Sequence, residues 1–487
     1  MEWSKNGKLV VRFIEHSNSP DKSGNYTSPF VMGVQIKKKD IIELEIVDLA
    51  FGGTSVAKVD GLVVLVRGGI PGDVVKAEIT RKKSNYAEAK VLQIIKESSL
   101  RTKPICSHFG FCGGCSWQDL KYEEQLKFKT KHVKDSLARI GNFTDPPVQD
   151  ALGCEKTFYY RNKMEYAFIP EPDKKFLLGL HPRGRYDLVF DLKECFLQSE
   201  TANQIVKFVR QYAKDNNLPA YHQKSRSGFL RFLVIKEGKN TDMTMVNLVT
   251  YEGDFPAREE FCMKLFSNFP SIKSVVRNIN SKIANIAVGE EEELLGGKRT
   301  INEKLGEFTF EISSNSFFQT NPQQAEKLYR TVLIMANLEG TEEVLDLYCG
   351  NGTISVFLSP VAKKVIGIEA VEESVQNARR NAELNNIDNC EFICGESRKV
   401  LKTMEAEKRN FHAIVLDPPR AGLHKDVVKS VLNLKPQKIV YVSCNPTTLA
   451  RDLKSFCEED YRLENVQPVD MFPHTFHIES VTTLSRR

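Results

Sequence analysis

The chain has 487 residues, more than one ordinary domain holds, and a hydrophobic content of 41% that is enough for real cores. A formal net charge of +5 does not by itself announce a nucleic-acid binder, and no apolar run is long enough to cross a bilayer. Eleven cysteines without a charged-then-apolar leader argue against a disulfide framework and for metal-binding or catalytic thiols in a soluble, cytoplasmic protein.

Residues 1–36 are rich in Ser, Asn, Lys and Gly and read as a flexible tail. Short alternating strands follow at Ile42 to Val47, Leu62 to Val66, Val74 to Thr80 and Ala89 to Ile95, separated by the turns Phe51-Gly52-Gly53, Asp60-Gly61 and Pro71-Gly72-Asp73. That pattern over 37–97 predicts a small OB-like barrel, a fold suited to single-stranded or looped RNA. Lys37-Lys38-Lys39, Arg81-Lys82-Lys83 and the segment Lys121 to Arg139 are locally basic, which suits phosphate contacts and equally suits solvated surface.

A central domain is expected over 98–300. It opens on Cys106, Cys112 and Cys115, the last two at C-x-x-C spacing with glycines between, which lets several thiolates turn onto one metal centre. His108 stands among them and reads as a loop residue. Arg161 and Lys163, in Phe158-Tyr-Tyr-Arg161-Asn-Lys163, fit either phosphate contacts or a solvent-facing strand. Residues 196–300 carry no readable chemistry.

From about Ile301 the chain alternates strand and helix, which predicts an α/β domain with a mainly parallel sheet over 301–487. Val344 to Tyr348 is a strand that runs into Cys349-Gly350-Asn351-Gly352. Ser355 occupies the place of the third glycine of the dinucleotide fingerprint, which counts against NAD or FAD. The next strand ends on Glu369, about twenty residues further on. An acid placed there can hold a ribose, and without a pyrophosphate loop the pattern suits S-adenosylmethionine. Ala413 to Leu416 runs into Asp417-Pro418-Pro419-Arg420. Ile439 to Ser443 runs into Cys444-Asn445-Pro446 and a helix over Thr447 to Phe456. With Asn445 as N-cap and Pro446 as first helical residue, Cys444 lies near the positive end of a helix, a position that lowers a thiol pKa. Glu479 lies in apolar sequence between Ile478 and Val481, which predicts partial burial and a raised pKa.

Asp-Pro-Pro-Arg at 417–420, Ser-Cys-Asn-Pro at 443–446 and Phe-Pro-His-Thr-x-His-Ile-Glu at 472–479, in that order, resemble the bacterial RNA uracil-5-methyltransferases. The resemblance runs from about Lys37 to the C-terminus. It implies a Rossmann-like S-adenosylmethionine methyltransferase domain preceded by an OB-like TRAM barrel, which matches Gly-Gly-x-x-x-Ala at 52–57, and by a mixed α+β central domain. It further implies methylation of carbon 5 of a uridine in RNA, with Cys444 as nucleophile and Glu479 as base. Gln319, Tyr348, Glu396 and Asp417 join Glu369 as cofactor residues, and Phe317 is a candidate to stack on the target base or to pack in the core. Cys195 becomes the fourth ligand of a [4Fe-4S] cluster with Cys106, Cys112 and Cys115; spacing alone leaves zinc open. The barrel and the cysteines point to 23S ribosomal RNA, because the typical tRNA branch lacks both, and a monomer is expected. Rival readings are a tRNA T-loop uridine-5-methyltransferase, an amino methyltransferase with an Asp-Pro-Pro loop, and a non-catalytic RNA-binding assembly factor.

Overall fold

The computed structural model describes residues 36–172 and 175–487, together with the backbone of the paired segments 2–3 and 9–10. The tail expected over 1–36 otherwise lies outside the described residues. Five strands close into a barrel in the spatial order Ile41–Ala50, Thr54–Val59, Leu62–Arg67, Tyr86–Lys96, Val74–Lys82. Alternate side chains point inward, so Leu44, Ile46, Val64, Val66, Val75, Ala77 and Ile79 fill the interior. Four of the five strands are legible as apolar alternation. The strand Thr54–Val59 is not, because its buried residues are Ser55, whose hydroxyl donates to Gly69 O at 2.8 Å, and Ala57. Gly53, at φ +77°, turns this hairpin against the C-terminal motif: a Cβ there would lie 2.9 Å from the Phe476 ring.

The central domain is built on a seven-stranded, mostly antiparallel sheet in the order Phe190–Asp191, Lys175–Leu180, Lys163–Glu171, Leu230–Gly238, Met243–Thr250, Ile272–Ile279, Glu291–Gly297. Its middle strand Leu230–Gly238 is buried at every residue. Ala202, Ile205, Val206 and Val209 of the helix Glu200–Asp215 pack in the same core as Leu233, Ile235, Val246 and Leu248.

The C-terminal sheet runs Cys390–Cys394, Lys364–Glu369, Glu343–Leu347, Ala413–Leu416, Lys438–Ser443, Glu479–Arg486, Tyr461–Val469. The first five strands are parallel, and Glu479–Arg486 runs antiparallel to both of its neighbours, Lys438–Ser443 and Tyr461–Val469. Chain order reverses between Glu343–Leu347 and Ala413–Leu416, and the carboxyl ends of strands at such a switch point form a crevice for ligands. The helix Tyr122–Arg139 packs on this domain, with Val133 and Leu137 in one core with Leu449, Leu453 and Phe456. Its basic run divides: Lys121, Lys127, Lys134 and Arg139 stay exposed, while Lys129 is taken into the interior. Lys127 pairs with Glu124, Lys131 with Asp48 and Asp135, and the fully buried Lys129 Nζ lies 2.5 Å from the equally buried Asp470 Oδ1. Among the described residues no helix is long and apolar enough to cross a membrane.

Asp470 also accepts from Tyr122 Oη at 2.8 Å and from Phe472 N at 3.1 Å, so this ion pair anchors the segment leading into the C-terminal motif. Replacing Lys129 by methionine leaves an uncompensated buried carboxylate, and the expected loss of stability is about 3–5 kcal/mol. Urea unfolding at pH 7 measures it; a loss below about 1 kcal/mol removes the pair from the stability account.

Candidate active site

Three neighbouring strands meet at one edge of the C-terminal sheet. Ala413–Leu416 hands over to Asp417 and Lys438–Ser443 to Cys444, with Leu416 opposite Tyr441. The antiparallel strand Glu479–Arg486 starts at the same edge, its Ser480 opposite Ser443, which sets Glu479 beside Cys444. Asp417, Cys444 and Glu479 line one cavity of about 610 Å³.

Asn445 caps the helix Pro446–Cys457 through a 3.1 Å bond from Thr447 N, with Pro446 in its first turn, as the sequence predicts. The thiol is nevertheless not acidified. Burial, reinforced by the carboxyls of Glu479 and Asp417 and only partly opposed by Arg420, pushes Cys444 up to about 11. This corrects the expectation drawn from the helix end: loss of water and two nearby acids outweigh the helix dipole, which is worth at most about 2 kcal/mol even in favourable geometry. Glu479 is buried rather than half-buried, and burial together with Asp417 raises its pKa well above the ordinary carboxyl value. Burial, with help from Asp346, lifts Asp417 to about 7. At neutral pH the free cavity therefore holds a protonated thiol, and burial favours the neutral form of Glu479.

The other end of the cavity is built on the glycine loop. Glu369 Oε2 accepts from Gly350 N at 3.2 Å and Oε1 from Val371 N at 2.9 Å, which fixes the acid at its strand end. Tyr348 adopts φ +64°, an uncommon conformation for an aromatic residue, and carries its ring to the cavity wall. A Cβ on Gly350 would meet nothing within 4 Å, so the backbone is open to a ligand there, whereas one on Gly352 would lie 2.9 Å from Ala378 Cβ. Ser355, in place of the third glycine, donates to the buried Asp346 at 2.6 Å. Gln319 and Asp417 line the same cavity, and neither side chain hydrogen-bonds another described residue. Free polar groups, an anchored acid and an open glycine loop fit a nucleoside sulfonium such as S-adenosylmethionine.

Glu396 is not brought to this cavity. It is exposed at the start of the helix Ser397–Ala406, paired with Arg398 at 3.1 Å and Lys399 at 3.5 Å. The structure adds lining residues that no role was read for: Asn351, Arg420, Phe472 and His477, all inside quoted stretches, and Tyr329, which lies outside them. Burial pushes His477 down to about 4, so it is a neutral imidazole. Phe317 is 69% exposed, which settles it as a rim residue rather than core. It also borders a groove of about 560 Å³ with Arg161, Lys163, His181, Arg183 and Tyr186. Arg183 and Tyr186 left no sequence signal because they sit in an irregular loop that only the fold carries to this face.

Cys106, Cys112, Cys115 and Cys195 converge on a separate cavity of about 40 Å³, with His108 beside them accepting from Lys193 N at 3.2 Å. Gly114 N donates to Cys112 Sγ and Gln118 Nε2 to Cys115 Sγ, each at 3.3 Å. Burial pushes the Cys115 thiol up to about 12. Among the described residues no group of three or more His, Cys, Asp or Glu side chains is set closely enough to hold a metal ion.

The family model for tRNA (uracil-5-)-methyltransferases matches residues 121–487, and that for the TRAM domain matches 37–92. The chain belongs to the RNA uracil-5-methyltransferase family. An uncharacterized RNA methyltransferase of Halalkalibacterium halodurans is 39% identical over 92% of this chain and 98% of its own length. Another, from Clostridium acetobutylicum, is 38% identical over 93% and 98%. The crystal structure of Pyrococcus abyssi tRNA (uracil-54, C5)-methyltransferase with S-adenosyl-L-homocysteine superposes with a TM-score of 0.73 at 32% identity, over 91% of this chain and all of that one. An S-adenosylmethionine-dependent methyltransferase domain behind a TRAM barrel is thus the architecture of this RNA uracil-5-methyltransferase family member.

A thiol near 11 is almost wholly protonated at pH 8. Cys444 in the free methyltransferase is therefore expected to react with iodoacetamide roughly a hundredfold more slowly there than a thiol of ordinary pKa, its rate climbing until about pH 11. Peptide mass spectrometry of partly alkylated protein follows this residue alone. A rate that is already level by pH 8 contradicts the burial argument.

Proposed function

We propose that this protein methylates carbon 5 of a uridine in 23S ribosomal RNA through a covalent Cys444–uracil adduct. The observation that carries the reading is the meeting of Cys444, Glu479 and Asp417 in the cavity that also contains Gln319, Tyr348 and Glu369. S-adenosylmethionine supplies the methyl group from a sulfonium whose positive charge, in a cavity holding two carboxyls and a thiol, favours their ionised forms. Gln319, Tyr348, Glu369 and Asp417 are the residues assigned to hold it; Glu396, turned to solvent, is left out.

Carbon 5 of uracil is a poor nucleophile. Cys444, as thiolate, adds to carbon 6, and the π electrons of the carbon 5–carbon 6 bond move to form an enolate. Carbon 5 would then take the methyl group, the methyl–sulfonium bond breaking with its electron pair left on the sulfur of the departing thioether. Glu479, as carboxylate, removes the carbon-5 proton; those electrons re-form the double bond and the Cys444–carbon 6 bond breaks, returning the thiolate. Arg420, which lowers the pKa of both Cys444 and Glu479, favours their ionised forms through the cycle. A uridine reaches such a cavity only when flipped out of its stack, and the cation-lined groove behind Phe317 suits the flanking backbone.

A tRNA T-loop uridine is the second reading. The Pyrococcus enzyme favours it, because the tenth of the present chain left unmatched is shorter than the leading tail and barrel together, so a front barrel does not argue against a tRNA substrate. Mapping 5-methyluridine in ribosomal and transfer RNA of a deletion strain decides between them. Loss confined to tRNA overturns the ribosomal assignment.

We propose Cys106, Cys112, Cys115 and Cys195 as the ligands of a [4Fe-4S] cluster, with zinc as the alternative, although as they stand here the thiols are not set closely enough to hold a single metal ion. The support is their convergence on one cavity and the N–H donors aimed at two of the sulfurs, a pattern that suits cluster thiolates. Anaerobically purified protein is expected to carry iron and sulfide, and Cys195→Ser to lose both. Stoichiometric zinc without sulfide refutes the cluster.

For the methyl transfer itself, Cys444→Ala is expected to bind S-adenosyl-L-homocysteine as the parent does and to lose turnover by at least about 10⁴-fold. Glu479→Gln is expected to stall after methylation, visible as a slow protein–RNA band on a denaturing gel. Retained turnover in the alanine variant removes the thiol from the mechanism and favours amino methylation. An assembly factor without catalysis predicts no cofactor binding by either protein.

A further inference from the structure

Lys236 is a buried amine that the methyl-transfer chemistry proposed above leaves without a role. It lies in Leu230–Gly238 of the central sheet, 3% exposed, and among the described residues no carboxylate stands within ion-pair distance of its Nζ. Burial pushes its pKa down to about 7. An ammonium held out of water without a carboxylate destabilises a fold, so stability alone does not explain this side chain.

Its contacts are specific. Nζ donates to Ser313 O at 2.7 Å and to Ser316 O at 2.8 Å. Those carbonyls flank the turn 313–316, which Ser313 and Ser316 also brace with reciprocal bonds from each backbone N–H to the other's hydroxyl. The chain leaves this turn directly into Phe317, Phe318 and Gln319, all of which line the catalytic cavity. The same central domain holds the far end of the segment: Asn162 Nδ2 donates to Gln319 O at 3.0 Å and Asn162 N to Thr320 O at 2.9 Å. From the catalytic side, Asn351 Nδ2 donates to Phe317 O. Segment 313–320 thus belongs to the cavity wall, yet its backbone is set largely by the sheet of another domain.

We propose that Lys236 is a positioning residue of the methyl-transfer site, fixing the 313–316 turn so that Phe317 and Gln319 stand at the cavity wall. This rests on the function proposed above and extends the site into the central domain. Lys236 touches neither cofactor nor base in this role; it acts through the turn. Because its charge is costly in place, removing it should separate stability from binding.

The test uses the full-length protein with Lys236→Met, which keeps the length and removes the donor, and Lys236→Gln, which keeps an N–H pair. Expected for the methionine variant are a Tm equal to or above the parent's, affinity for S-adenosyl-L-homocysteine about tenfold weaker by calorimetry, and faster amide exchange over 313–320. The glutamine variant is expected to lie between. Parental affinity and exchange in the methionine variant overturn the proposal. So does failure of that variant to fold, which would make Lys236 a residue of the core. Binding is read without RNA, so a parent protein that binds S-adenosyl-L-homocysteine but makes no 5-methyluridine sinks the uridine reading and leaves this test standing.

Discussion

The removal of water from three proton-bearing side chains is the constraint on which the site depends. Asp417, Cys444 and Glu479 come from three neighbouring strands, and the antiparallel turn of the last is what brings a carboxyl to the edge where the parallel strands end. A seventh parallel strand would have put that residue at the opposite edge of the sheet. Burial pushes all three groups up in pKa; Asp417 adds to the rise of Cys444 and of Glu479, Glu479 adds to that of Cys444, and Asp346 adds to that of Asp417, so charge in any of them is expensive. Holding Asp417 ionised against a pKa of about 7 costs on the order of 4 kcal/mol at pH 8. Since the folded state binds the proton more tightly than the unfolded chain, this cost grows as pH rises from about 4 to 7, and Asp417 makes the fold less stable over that window.

A thiol that rests protonated in the free cavity is compatible with the covalent route proposed above. A permanently ionised thiol is open to oxidation and alkylation, whereas one that ionises only with a cationic ligand beside it is exposed when it is needed. The Arg420 guanidinium at the cavity opposes the two acids without cancelling them. It comes from the same Asp-Pro-Pro-Arg loop as Asp417, so one rigid turn supplies both a charge that raises the thiol pKa and one that lowers it.

Local pattern made much of this visible beforehand. The strand ends at Asp417, Cys444 and Glu369, the cap at Asn445 and the barrel hairpins all follow from residues within a few positions of each other. What escaped was non-local. The direction of the Cys444 shift depends on acids 27 residues before it and 35 after it in sequence, and a helix start inspected alone points the other way. Within Lys121 to Arg139, Lys129 looks like one more surface cation until Asp470, from a distant part of the chain, is folded against it, and Asp48 likewise comes from afar to pair with Lys131. Glu396 illustrates the reverse failure: a position after a strand in the right order, whose side chain turns to Arg398 and Lys399 and to solvent.

The same non-local logic ties the domains to the chemistry. Gly53 of the barrel meets Phe476, two bonds from Ser116 N and Trp117 N to His474 O join the cysteine-bearing segment to the C-terminal motif at 2.8 and 3.0 Å, and Gln125 Oε1 accepts from His474 N at 2.8 Å. His474 itself is held at φ +65°, a conformation that persists only when the surroundings impose it. On the other side, Asn162 and Lys236 fix the segment carrying Phe317 and Gln319. The catalytic cavity therefore has walls supplied by one domain but set in place by two others. The backbone that presents His477, Glu479 and Gln319 to the cavity is thus held from the barrel and cysteine-bearing side on one flank and from the central sheet on the other.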